Sequence, residues 1–247
     1  MTLSVDLNCD LGEGAADDEA ILEFVTSANV ACAFHAGSPT RMRRLVRAAC
    51  AKRVAIGAHP GLRDAEGFGR REIRLEPEEA FALVLYQVGA LKALAAAEGE
   101  RLRHVKPHGA LYHMAARDRE IARSVASAVR AAGPHLILLG PPRSELLEAA
   151  REAGLRGSEE AFADRGYRPD GTLVPRGLPG ALIEDPEEAA RRAVRIVLEG
   201  NVLAVDGSER PIRADTICVH GDTPNALRIA RRVRESLEEA GVRVEPP

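Results

Sequence analysis

Apolar and polar positions alternate along the first stretch of the chain, and this pattern predicts a β-strand with two different faces. From Leu3 to Cys9 the odd positions are apolar, whereas Asp6, Asn8 and the following Asp10 lie on the opposite face. A polar inner face and an apolar outer face suit a strand of a barrel whose outside is covered by helices.

Strand-like and helix-like segments alternate along the rest of the chain. Short apolar runs are separated by longer segments whose apolar residues recur at helical spacing. The pattern predicts strands at 3–9, 29–34, 54–58, 102–105, 136–139, 155–158 and 216–219, and helices at 17–25, 39–50, 76–98, 118–132, 143–153, 185–199 and 223–240. Seven alternations without a change in composition predict one α/β domain over residues 1–247, built on a mainly parallel sheet.

The composition fits a globular enzyme and argues against several other classes. The 247 residues carry a formal net charge of -3 and contain no basic block, so we expect neither a nucleic-acid nor a membrane-surface partner. No signal-peptide pattern precedes Val5 and no apolar run reaches membrane length, which favours a cytoplasmic protein. The four cysteines lack C-x-x-C spacing and are expected to be buried thiols in a reducing compartment.

Five of the predicted strands end in His, Asp or Lys, mostly with Gly or Pro close behind. The clearest case is the stretch 105–112, where Pro107 and Gly109 interrupt regular structure beside a lysine and a histidine. The C-terminal ends of barrel strands lie on one face, where barrel active sites are found. We therefore predict one pocket that contains Asp10, His35, His59, Lys106, His108, His220 and Asp222.

Two further carboxylates and an amide accompany Asp10. We assign Asp6 to a structural hydrogen-bond network at the barrel floor and Asp10, nearer the C-terminal edge, to function. Asn8 shares their face and is a candidate for substrate binding. Glu13 lies in the next loop, where it is a candidate for catalysis and for pairing with Lys106.

Arginines in a long loop are candidates for holding an anionic substrate. Arg70 and Arg71 end the loop 60–72, which contains three glycines, and a guanidinium binds a carboxylate through two parallel hydrogen bonds. A solvated loop is the competing interpretation. Neither a P-loop pattern nor a G-x-G-x-x-G after a strand is present, so no nucleotide site is indicated by a motif.

A third group of candidates follows the sixth predicted strand. Glu160 and Asp164 are candidates for catalysis and Arg165 for substrate binding, although a salt bridge on one helix face would explain the same residues. His104 and His135 lie near predicted strand starts and are expected to be structural.

The motifs at these positions resemble those of the LamB/YcsF family. They are D-L-N-C-D-x-G-E at 6–13, N-x-A-C-x-F-H-A-G at 29–37, G-A-H-P-G at 57–61, G-F-G-R-R at 67–71, V-K-P-H-G-A-L-Y at 105–112, E-x-F-A-D-R-x-Y at 160–167 and C-V-H-G-D at 218–222. The resemblance implies a distorted (β/α)₇ barrel similar to those of glycoside hydrolases and polysaccharide deacetylases. It also implies one component of the bacterial ATP-dependent 5-oxoprolinase, which converts 5-oxo-L-proline, ATP and water to L-glutamate, ADP and phosphate with two partner subunits, B and C.

Three hypotheses follow for the pocket. In lactam opening, Asp10 or His108 activates water, Lys106 stabilises the developing negative charge, an arginine of the loop 60–72 holds the substrate carboxylate, and ATP is the cosubstrate. In the second hypothesis, Asp10, His59 and His108 bind a divalent metal for hydrolysis of an N-acyl sugar. In the third, the chain is a non-catalytic subunit that docks its partners.

Overall fold

Seven parallel strands close into a barrel in the computed structural model, which describes residues 3–247. The barrel strands are β1 (Ser4–Leu11), β2 (Ser27–Ala31), β3 (Ala55–His59), β4 (His104–Val105), β5 (Ile137–Gly140), β6 (Arg156–Phe162) and β9 (Thr216–His220). Each of the first six pairs with the next, and β9 pairs with both β6 and β1 and so closes the ring. The predicted (β/α)₇ barrel is confirmed.

Helices follow the barrel strands and cover the outside of the sheet. They are α1 (Asp18–Ile21), α2 (Pro39–Lys52), α3 (Pro77–Ala97), α4 (Gly109–Arg117), α5 (Arg119–Ala132), α6 (Glu145–Glu152), α7 (Pro186–Glu199) and α8 (Ala226–Glu239). Local sequence explains where several begin: the Ser38 side chain accepts a hydrogen bond from the Arg41 amide at 3.2 Å, and Asp185 caps α7 in the same way. Proline at the first position of both helices suits their start.

Some elements differ from the predicted ones. Helix α4 begins at Gly109, directly after His108, where the sequence indicated only a turn. The hairpin of β7 (Asn201–Leu203) and β8 (Glu209–Pro211), and the strand β10 (Arg243–Val244) beside β1, were not predicted. Strand β6 extends to Phe162 and therefore contains Glu160, which was predicted to follow the strand.

The two faces of β1 confirm the predicted polar interior. Leu7 and its apolar neighbours pack into the core between sheet and helices, whereas Asp6 accepts hydrogen bonds from Thr26 at 2.7 Å, Ser27 at 2.7 Å and Thr216 at 2.5 Å inside the barrel. Burial raises the pKa of Asp6 to about 6 despite these three hydroxyl donors. Asp6 therefore links strands β1, β2 and β9 at the barrel floor.

The four cysteines are all free thiols.

One helix among the described residues, α3, is long and apolar enough to cross a membrane by length and composition alone. Its buried side chains Val84, Val88 and Leu91 pack into the core that separates the helices from the sheet. A barrel helix with this packing passes the same test of length and composition, so α3 is weak support for a membrane span.

Gly57 in β3 leaves the space that the His104 ring occupies. A Cβ atom on Gly57 would lie 2.0 Å from His104 Nε2, which is far inside van der Waals contact. We expect Gly57→Ala to lower the free energy of unfolding by about 1–3 kcal/mol, the usual cost of overpacking a core. Chemical denaturation measures this change.

Gly89 in α3 provides the matched control. It is exposed, and a Cβ atom there would meet nothing within 4 Å. Gly89→Ala should raise the free energy of unfolding by up to about 1 kcal/mol, because alanine favours a helix more than glycine does. Equal stability of the two variants would contradict the role given to Gly57.

Candidate active site

A layer of amide and imidazole groups crosses the barrel interior above Asp6. The Asn29 side-chain amide donates to Asn8 Oδ1 at 2.7 Å and to Asp10 Oδ1 at 2.8 Å. Because an amide oxygen only accepts, His104 must donate from Nε2 to Asn29 Oδ1, at 2.7 Å. His104 thus orients Asn29, which in turn orients Asp10. Asn29 was not predicted as a site residue, although a polar residue between Ala28 and Val30 indicates an inward-facing strand position.

Lys106 is the cation at the centre of the site. Its Nζ lies 2.8 Å from Asp10 Oδ1, 2.9 Å from Glu160 Oε1 and 3.0 Å from Cys218 Sγ, and its side chain is 3% exposed. Burial alone would lower the pKa of Lys106, but Asp10 and the neighbouring Cys218 and Glu160 hold it well above its usual value. Lys106 is therefore a fixed positive charge shared by two carboxylates.

Glu160 and Asp10 are fixed by further donors. The Glu160 carboxylate accepts from the Asn8 amide at 3.0 Å and from the Tyr112 hydroxyl at 2.8 Å, so both of its oxygens have partners. Burial would raise the pKa of Asp10, but His59 and Lys106 hold it well below its usual range. Glu160 thus belongs to the barrel interior and does not form a salt bridge on a helix face.

Four buried side chains from successive strand ends meet beside Asp10. Glu13 follows β1, His35 follows β2, His59 ends β3 and His108 precedes α4. Each residue offers one potential metal-ligand atom, and these four atoms lie within 4.8 Å of one another, a spacing that could hold a metal ion. The rings of His35 and His108 stack at 3.7 Å between centroids.

His220 and Asp164 form a hydrogen-bonded pair on the opposite side of Asp10. His220 Nδ1 donates to Asp164 Oδ1 at 2.9 Å, and the same carboxylate accepts from the His220 backbone amide at 2.9 Å and from Thr223 at 2.8 Å. This bond directs the His220 Nε2 lone pair toward Asp10 Oδ2, 3.9 Å away. Nε2 makes no hydrogen bond within residues 3–247, so it is available to exchange a proton with a bound molecule.

Two arginines share one carboxylate at the rim of the site, and a third arginine lies near them. Arg70 and Arg176 both pair with Asp222, from different loops. Arg165 is buried and donates to the backbone carbonyls of Ala181 at 3.0 Å and Val174 at 2.7 Å. Burial, with the nearby Arg176, lowers the pKa of Arg165 to about 10. The rim carries excess positive charge and suits a small anion.

Most of the residues proposed from sequence meet at this face, but Arg71 does not join them. Arg71 pairs with Asp64 inside its own loop, and most of its side chain is exposed. Arg70 instead reaches Asp222 and stacks 4.6 Å above the Phe68 ring. Arg176 was not predicted, because the sequence of its loop, 168–182, is rich in proline and glycine and indicates only an ordered loop.

Similar proteins match the sequence and fold of this chain over nearly its whole length. Two proteins called the A subunit of 5-oxoprolinase, from two strains of Thermus thermophilus, are each 58% identical to it, covering 98% of this chain and 99% of the relative. The crystal structure of a lactam utilization protein from Thermus thermophilus superposes with a TM-score of 0.91 at 55% identity, covering 98% of this chain and 99% of that one.

More distant likenesses concern the fold alone. A family 113 β-1,4-mannanase superposes with a TM-score of 0.52 at 11% identity, covering 96% of this chain and 100% of that one. The predicted similarity to glycoside hydrolase barrels is thereby confirmed. The family model for LamB/YcsF matches residues 5–247, and with this match the chain belongs to the LamB/YcsF family.

Proposed function

We propose that this chain opens the lactam ring of 5-oxo-L-proline as the A subunit of an ATP-dependent 5-oxoprolinase, with ATP as cosubstrate and subunits B and C as partners. The observation that carries the proposal is the 58% identity, over nearly the full length of both chains, to proteins called the A subunit of 5-oxoprolinase. Coupling to ATP has a physical purpose, because an amide is resonance-stabilised, with a rotation barrier of about 18–20 kcal/mol.

The Asp164–His220 pair is suited to the proton transfers of this reaction. ATP phosphorylates the lactam oxygen, water adds to the activated carbonyl carbon, and the C–N bond breaks so that the ring nitrogen leaves as an amine. A second water then hydrolyses the resulting acyl phosphate to the carboxylate and phosphate. His220 Nε2 takes the proton from the water and returns it to the departing nitrogen, while Asp164 holds Nδ1–H in place. His108 was one of the bases suggested by the sequence, but its Nε2 donates to the Phe68 carbonyl oxygen at 2.8 Å and its Nδ1 is enclosed in the cluster beside Glu13 Oε1, 2.9 Å away. His220 is therefore our choice.

Asp10 and Lys106 act together beside His220. Asp10 Oδ2 lies 3.9 Å from His220 Nε2, close enough for one water molecule to contact both atoms. Lys106 keeps Asp10 ionised, and its pairing with two carboxylates limits the direct charge stabilisation that the sequence suggested. In this proposal Asp10 orients the attacking water, and Lys106 positions Asp10.

The arginine rim would bind the carboxylate of 5-oxoproline. Arg70 and Arg176 share only Asp222, so a second anion can take one of their guanidinium groups. We expect Arg70→Ala and Arg176→Ala to raise KM for 5-oxoproline at least about tenfold, with smaller changes in kcat, because a charged hydrogen bond contributes about 1.5–3 kcal/mol. Arg74→Ala is the control, since Arg74 is exposed and pairs with Glu76. Unchanged KM in both rim variants would place the substrate carboxylate elsewhere.

The function is tested by measuring glutamate formed from 5-oxoproline and ATP. The reaction is run with this chain and subunits B and C, and with each component left out in turn. Activity with the full set and none without this chain is expected. Deacetylation of an N-acyl sugar by this chain alone would favour the metal-dependent alternative. Full activity of B and C alone would remove any required role of this chain in the chemistry.

Two broader expectations accompany this function. A single cooperative unfolding transition would support one domain over residues 1–247, and cell fractionation would test the cytoplasmic location that the sequence favours.

A further inference from the structure

The cluster of Glu13, His35, His59 and His108 has the hydrogen-bonding pattern of a cation site. Glu13 Oε1 lies 2.9 Å from His35 Nε2 and 2.9 Å from His108 Nδ1, and 3.6 Å from His59 Nε2. The side chains of all four residues are at most 5% exposed. The neighbouring Asp10 Oδ2 lies 3.3 Å from His59 Nε2, but Asp10 Oδ1 is occupied by Lys106 and Asn29, and it is Glu13 Oε1 that approaches all three histidines.

Backbone carbonyl groups determine which ring nitrogens of two histidines carry hydrogen. His59 Nδ1 lies 2.7 Å from the Lys106 carbonyl oxygen, and His108 Nε2 lies 2.8 Å from the Phe68 carbonyl oxygen. A carbonyl oxygen only accepts, so both of these nitrogens are protonated donors. In the neutral imidazoles the remaining nitrogens, His59 Nε2 and His108 Nδ1, carry lone pairs directed into the cluster, where they lie 3.0 Å apart.

Two facing lone pairs beside a carboxylate repel one another unless a cation lies among them. The cluster also contains buried atoms without a hydrogen-bond partner in the described residues, namely Glu13 Oε2 and His35 Nδ1. Such orphaned atoms are rare in folded proteins. Imidazole rings held by carbonyl groups through their second nitrogen are the usual arrangement around protein-bound metal ions.

We propose that Glu13, His35, His59 and His108 bind one divalent transition-metal ion of the zinc class. Three imidazole nitrogens and one carboxylate oxygen favour such an ion over Mg²⁺ or Ca²⁺, which take mainly oxygen ligands. Ligands about 2.0–2.2 Å from a tetrahedral ion lie about 3.3–3.6 Å apart. Four of the six separations between ligand atoms are 2.9–3.6 Å, and all six are within 4.8 Å. Because the rings of His35 and His108 stack 3.7 Å apart, metal binding requires one of them to rotate so that both lone pairs meet the ion.

The second cluster of potential ligands, Asp10, Cys218 and His220, does not share this pattern. Lys106 Nζ lies 3.0 Å from Cys218 Sγ, and a fixed ammonium group beside the sulfur opposes a second cation. The metal set proposed from sequence, Asp10, His59 and His108, therefore changes: Glu13 and His35 join it and Asp10 leaves it. The ion would link the C-terminal ends of the four strands β1, β2, β3 and β4.

The test measures metal content and stability without any activity assay. The full chain is expressed without a polyhistidine tag, and its metals are determined by mass spectrometry. We expect about one zinc-class ion per chain, a lower melting temperature after chelation, and recovery on adding Zn²⁺. Replacement by Co²⁺ should give the visible absorption of a tetrahedral nitrogen–oxygen site. The readouts need neither substrate nor partner subunits, so they can fail independently of the proposed 5-oxoprolinase function.

Variants locate the ion within the chain. His35→Asn and His108→Asn should each reduce bound metal to less than about a tenth of the wild-type content. His135→Asn, a change at an exposed histidine outside the cluster, should retain it. If the ligand variants fail to fold, the chelation and Co²⁺ results on the wild-type chain still decide. No stoichiometric ion, together with a melting temperature indifferent to chelator and Zn²⁺, would overturn the proposal and leave a shared proton between the two imidazoles.

Discussion

Replacing Lys106 with methionine is expected to lower the free energy of unfolding by about 3–5 kcal/mol, the usual cost of removing one partner from a buried ion pair. Methionine fills much of the same space, but it leaves Asp10 and Glu160 buried without their shared cation. The same variant should lower glutamate formation at least about a hundredfold, because Asp10 loses the charge that fixes it. Chemical denaturation and steady-state rates with the complete complex measure the two effects.

A double variant separates these two effects. Glu160→Gln removes one of the two uncompensated charges, and an amide can still accept from Tyr112. We expect Lys106→Met with Glu160→Gln to be more stable than Lys106→Met alone while remaining as inactive. Additive losses of stability in the double variant would contradict the shared-cation interpretation, and recovery of turnover with stability would make Lys106 purely structural.

The polar barrel interior could be predicted because one strand carries its signature. The alternation of Asp6, Asn8 and Asp10 with apolar residues has only one arrangement in which the apolar face meets the helices, and the structure adopts it. Helix α4 was not predicted because Pro107 and Gly109 indicate a turn locally. In the structure His108 is the N-cap residue, and the helix begins at Gly109. Strand β10 is held by pairing with β1, and such distant pairing leaves little signal in a two-residue strand.

The candidate site was predictable as a region but not as a set of contacts. Strand ends of a parallel barrel share one face, so His59, Lys106 and His220 could be grouped without coordinates. Which atoms pair depends on side-chain directions across the barrel, as with Asp164 and His220, which are 56 residues apart. The tautomers of His59 and His108 depend on the carbonyl oxygens of Lys106 and Phe68, and no sequence pattern specifies them.

Replacing His220 with asparagine is expected to lower kcat for glutamate formation by about 10²–10⁴-fold, the usual contribution of a positioned proton-transfer group. Asp164→Asn should cause a loss of similar scale, because an amide no longer favours the tautomer that presents the Nε2 lone pair. The double variant should be about as slow as His220→Asn alone, since the two side chains act as one unit.

Thr223→Val is a matched control. It removes one donor to Asp164 and leaves the bond to His220 in place, so it should lower kcat much less. Rates are compared at saturating 5-oxoproline with the full complex, alongside thermal melts that show each variant is folded. Multiplicative losses in the double variant would mean that Asp164 and His220 act separately, and near-normal turnover of a folded His220→Asn variant would move proton transfer to another group in the site.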